Sequence, residues 1–227
     1  MAPTFVTKTK GAYMLYDDII QRWPSTEELA GILGAIKLND TVLFEKASEL
    51  FSEVVDPEVA HEEDPSKEDC DRCNMAFSEW VLFDYDLGLG YSVLERMAHM
   101  DASLVDFVTT QFFSRFWVIS QDPEHDVSVL RDLRTHEDFE VHSHHIANQP
   151  RWATGTLGTR LACVNDEWRS VGRLSLHDNA ASEPGPASAY PMGRGIHDRY
   201  AFIENVRLLY GHEGDLRDTI LSVETYV

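Results

Sequence analysis

Apolar side chains recur at spacings of three and four along the first half of the chain and at spacings of two along much of the second. Ser25-Thr-Glu-Glu28 is a Ser-x-x-Glu capping box, in which hydroxyl and carboxylate satisfy free amides at a helix start, and it predicts a short helix to about Ile36. Asn39 and Asp40 offer caps for a second helix, whose Val42, Leu43, Ala47, Leu50, Phe51 and Val54 recur at helical spacing. From Ala76 to Tyr85 apolar side chains occupy nearly every face, the pattern of a central helix packed on several sides. Gly88 and Gly90 end that helix, and Ser92-Val-Leu-Glu95 is a second capping box that starts another. Asp101 or Ser103 restarts the chain into SLVDFVTTQFF.

Around Ser114 the period becomes alternating. SRFWVIS, VSVLRDL, DFEVHSH, LGTRLACV and WRSVGRLSL are short and rich in Val, Phe, Leu and Trp, and polar turns such as QDPEHD, RTHED and NDE separate most of them. Five such strands predict a meander curled into a small barrel, which limits exposed edges. The gap HIANQPRWATGT carries a turn of helix, and RYAFIENVRLLYG is helical again. The expected fold class is α+β. It comprises an acidic helical domain (1–113), a small five-stranded antiparallel β-barrel (114–177), a Gly/Pro/Ala-rich linker (178–198) and C-terminal helices (199–227).

Composition narrows the function. With 43% hydrophobic and 11% aromatic residues, a chain of 227 residues is globular and can bury a sizeable core. Its formal charge is −20, and residues 1–113 hold 22 acidic and 8 basic side chains. EVVDPEVAHEEDPSKED, beginning at Glu53, reads as a solvated acidic loop. A surface of this sign repels phosphate, so nucleic-acid binding is not expected, whereas a basic protein partner or imitation of a nucleic acid remains open. No apolar run approaches the ~20 residues that span a bilayer, and the N-terminus lacks the apolar core of a secretory signal. Three cysteines make no disulfide framework, and a reducing cytoplasm fits them.

FSEWVLFD (77–84), the glycine turn, SVLER (92–96), SRF (114–116) and LRDL (130–133) follow one another in a fixed order. In that order they resemble a group of uncharacterised bacterial proteins, over roughly residues 75–175. Some members also carry a cysteine-rich zinc motif of the SEC-C type, whose ligand pattern Cys70, Cys73 and Cys163 do not supply. The resemblance implies an intracellular bacterial protein, helical first and β-barrel second, and brings no established reaction.

Two groupings have the residue types of a metal site. Cys70-Asp-Arg-Cys73 is a Cys-x-x-Cys pair able to chelate zinc, with His61 nearby in sequence, or to pack against the bundle from one helix face. In VHSHH, strand alternation puts His142 and His144 on one face, near His125, His136, Asp138 and Glu140, where two imidazoles and a carboxylate suit zinc or iron. The stretch from Asp84 to Glu95 superficially fits a calcium loop. It has Leu89 where the sharp-turn glycine belongs, and Asp84 and Asp86 are expected to cap the turn or pair with Arg96. Arg131, Arg134, Arg160, Arg169 and Arg173 read as a solvated barrel face. No nucleophile elbow or phosphate-cradling loop is present in the sequence. The leading expectation is a non-catalytic protein-interaction or regulatory module. The alternatives are a metal-dependent enzyme centred on His142 and His144, with zinc as its cofactor, and an acidic nucleic-acid mimic.

Overall fold

A computed structural model describes residues 19–54, 67–86, 92–149 and 156–177, together with Phe202, Ile203 and Val206. The chain is α+β: helices come first and a five-stranded mixed sheet follows. The helices are α1 (Thr26–Asn39), α2 (Thr41–Ser52), α3 (Lys67–Phe83), α4 (Val93–Met100) and α5 (Val105–Thr110), with a 3-10 turn at Ala102–Leu104. Both capping boxes form: Ser25 and Glu28 exchange side-chain-to-backbone bonds at α1, and Ser92 and Glu95 do so at α4. Asp40 caps α2 through the Leu43 N–H, and Asp101 caps the 3-10 turn through the Ser103 N–H at 3.0 Å. α3 begins at Lys67, inside the segment expected to be a solvated loop, so the helix runs several residues further toward the N-terminus than its apolar pattern suggests. Among the described residues no helix is long and apolar enough to cross a membrane.

The strands are β1 (Phe112–Asp122), β2 (Val127–Asp132), β3 (Asp138–His142), β4 (Thr156–Val164) and β5 (Glu167–His177), with the one-turn helix α6 (His144–Ala147) between β3 and β4. They pair in the order β1-β2-β3-β5-β4 and close back on β1 as a barrel. The expectation of a purely antiparallel sheet fails at one junction. β3 and β5 run parallel, with Val141 opposite Trp168 and His142 opposite Arg169. The reason is one of parity: strands that alternate in direction around a ring must be even in number, so a closed ring of five holds at least one parallel pair. The β4–β5 hairpin turns at Asn165 and Asp166, both at positive φ (52° and 63°), the backbone of a type I′ turn.

Alternation along the strands fills the interior with Phe112, Phe116, Val118, Leu130, Phe139, Val141, Leu157, Leu161 and Leu174, and Ile146 of α6 plugs one end. The opposite faces of β4 and β5 lie under the helices. Ala162, Val164 and Val171 share a core with Leu82, Phe83, Leu94, Leu104 and Phe107. A further cluster joins Phe51 and Ala76 to Phe113, Phe202 and Val206. Phe202, Ile203 and Val206 are helical, and the remaining residues of the expected linker and C-terminal helices lie outside the described residues.

Candidate functional site

The histidines do not share a strand face. β3 ends at His142, and the Ser143 side chain then accepts from the Ile146 N–H and starts α6, which carries His144. The strand alternation that would have aligned the two imidazoles therefore stops between them. His144 is exposed, and its Nδ1 lies 2.7 Å from Asp126 Oδ1, an oxygen that also accepts from Asn148 Nδ2 at 2.8 Å. His125 makes a similar pair with Asp122 at 2.8 Å within the β1–β2 turn. His142 is exposed and stands opposite Val127. Among the described residues no three His, Cys, Asp or Glu side chains gather as a metal site would require. Cys70 and Cys73 lie half-buried on α3 without a disulfide, and Cys73 packs against the cluster around Phe51 and Ala76. His61 lies outside the described residues, as do residues 87–91 of the calcium-like stretch.

Burial concentrates charge elsewhere. Arg160, expected on a solvated face, is 1% exposed and points from β4 into the helices. Its Nε donates to Glu79 Oε1 at 3.2 Å, its Nη2 pairs with Asp84 Oδ2 at 2.5 Å, and its Nη1 donates to Gln111 Oε1 at 2.5 Å. The guanidinium lies 4.4 Å from the Phe83 ring centroid, a cation–π contact in a dry setting. Glu79 Oε2 accepts the backbone N–H of Arg173 at 2.9 Å, on a length of β5 that has no pairing with β3. Burial pushes the Glu79 carboxyl above the usual range, and the Arg160 charge beside it opposes that rise. Asp84 thus pairs with Arg160 of the barrel instead of Arg96. The Glu and Asp of FSEWVLFD are the helical side of a joint between the two halves of the chain.

A second charged knot holds the segment before α1. Arg22 forks onto both Glu28 oxygens at 2.8 Å and reaches Asp101 Oδ2 at 2.8 Å, and its Nε donates to Ser103 Oγ at 3.0 Å. The Arg22 guanidinium, with the Ser25 backbone N–H, lowers the Glu28 carboxyl to about 2. The Arg160 knot is buried, whereas the Arg22 knot is partly exposed, and both tie parts of this one chain together.

Among the described residues, the helices leave open the outer face of β2, β3 and the second half of β1, from Trp117 on, whereas Phe113 at the start of β1 is covered by the cluster around Phe51 and Ala76. β4 is buried along nearly its whole length on both sides, whereas β3 alternates between exposed and buried. Registers set the open face out in rows: Trp117, Arg131 and Asp138; then Ser120, Val129 and Glu140; then Asp122, Val127 and His142. A β-bulge between Val118 and Ser120 turns Ile119 outward, where it is 45% exposed. Arg131 is fixed by a two-pronged bond to Asp138, at 2.6 and 2.8 Å. The SRFWVIS alternation placed Trp117 on a face opposite Phe116, but nothing in the sequence marks the bulge or which barrel face the helices cover. Comparison with family models, curated proteins and solved structures yields no match for the chain.

Proposed function

We propose that the chain is a non-catalytic protein-interaction module whose helical half braces a small barrel and leaves one barrel face for a partner. The observation that carries this reading is the uneven covering of the barrel: β4 is buried on both sides while β2, β3 and the second half of β1 keep an outer face with Trp117, Ile119 and Val129 at least partly exposed. Small five-stranded Greek-key barrels are known as scaffolds that bind oligonucleotides and oligosaccharides across one face. That is an analogy of fold alone, and the side chains have to carry the rest. The charge of −20 directs the choice away from phosphate backbones and toward a protein.

The test is affinity capture with the whole chain from a lysate of the organism that makes it, run beside an Ile119→Asp variant, with metal analysis of the untagged protein. A stoichiometric protein partner that the variant loses supports the reading. Recovery of no partner, together with one zinc or iron per chain, overturns it in favour of the metal-dependent alternative.

A further inference from the structure

The open face has a definite chemistry. Along its middle runs an apolar stripe formed by Trp117 and the bulged Ile119 of β1 with Val129 and Val127 of β2. Partly exposed apolar side chains gathered on one face of a strongly acidic chain point to a contact site. Its borders are acidic. Glu140 is exposed and makes no ion pair among the described residues. Asp122, Glu124 and Asp126 crowd the β1–β2 turn at one end, and Glu137 and Asp138 lie at the other. Of the cations on this face, Arg131 is held by Asp138, and Arg115, which donates from Nε to the uncharged Thr156 Oγ1 at 2.9 Å, is outnumbered by the carboxylates.

Three kinds of occupant meet this surface differently. A nucleic-acid backbone brings phosphates to a carboxylate border and is repelled. A second copy brings another charge of −20. A basic segment with apolar side chains gains on both counts. Resting on the interaction-module reading, we infer that the outer face of β2, β3 and the second half of β1 docks a lysine- or arginine-rich, partly apolar segment of another protein. Its apolar side chains lie over Trp117, Ile119 and Val129, and its charges meet Glu140 and the acidic β1–β2 turn. Complementary charge steers the encounter and selects the partner, while the apolar stripe supplies contact area.

The experiment is an amide-resolved NMR titration of the full chain with a short peptide of alternating lysine and valine, and with its counterpart bearing glutamate for lysine. Shifts confined to β1, β2, β3 and the β1–β2 turn, with the lysine peptide alone, are the expected result. Glu140→Lys and Ile119→Asp replace exposed side chains and leave the fold intact. Each weakens binding about tenfold, and moderate salt weakens it in the wild type. Equal binding of the glutamate peptide overturns the inference, as does the absence of shifts. Lysine-peptide shifts confined to the helical half overturn it too, while a partner captured by the whole chain would leave the broader reading standing.

Discussion

A Cβ placed on Gly172 would lie 2.7 Å from the Glu79 carboxyl carbon, and Gly172 itself has φ of +76°. Two demands meet at one residue: a left-handed backbone and close approach by a buried carboxylate. Gly172→Ala strains the backbone by about 1–2 kcal/mol. It also pushes Glu79 off the Arg173 N–H and Arg160, leaving buried polar groups at about 1–3 kcal/mol. Urea unfolding should show a loss of about 2–5 kcal/mol; a variant as stable as the parent would mean that Glu79 does not sit against β5.

Arg160 between Glu79 and Asp84 makes a prediction of a different shape. Arg160→Met keeps the aliphatic volume but strands two carboxylates in the core, and the expected cost is about 3–5 kcal/mol. Adding Glu79→Gln and Asp84→Asn removes the stranded charges and should restore a good part of that loss. Denaturant midpoints of the single and triple variants decide the matter. A triple variant weaker than the single would show that the three groups do not share one site.

That joint explains what the sequence could and could not disclose. The capping boxes at Ser25 and Ser92 were legible because every participant lies within a few residues, and the strands were legible from alternation. Arg160 and Glu79 are 81 residues apart. An arginine at an outward strand position looks solvated until one knows that a helix lies on that side. The strand face that His142 and His144 were expected to share fails for a local reason: the Ser143 hydroxyl ends the strand and caps a helix, a choice that VHSHH leaves open. The bulge at Ile119 has no composition of its own. The face argued to be functional was therefore only half visible.

Acid should expose the Arg22 knot. Glu28 titrates at about 2 in the folded chain, below its ordinary value, with the Arg22 bond as the first cause. A depressed carboxylate contributes stability that is present above the unfolded pKa, ~4.3, and is lost as pH falls through the folded one. The window is thus about pH 4.5 down to 2. The pair is more than a third exposed, so its contribution is damped by solvent. Arg22→Met should flatten the stability slope within that window, and carbon-detected NMR should find the Glu28 midpoint raised toward the ordinary range. An unchanged midpoint would remove Arg22 as its cause.

The β4–β5 turn offers a stabilising change. Asn165 and Asp166 are exposed and both sit at positive φ, the backbone of a type I′ hairpin. Such turns favour glycine at the second position, because a side chain there crowds its own carbonyl. Asp166→Gly relieves about 1 kcal/mol of that crowding. Against this stands the greater freedom glycine gives the unfolded chain, about 0.4–1 kcal/mol, so the net gain is expected to be a few tenths of a kcal/mol. Asp166→Val tests the same backbone from the other side, since a β-branched residue is least at home at positive φ, and should lose about 1–2 kcal/mol. The two variants differ in sign only if the turn has this conformation, so thermal melts of both, run side by side, are the check.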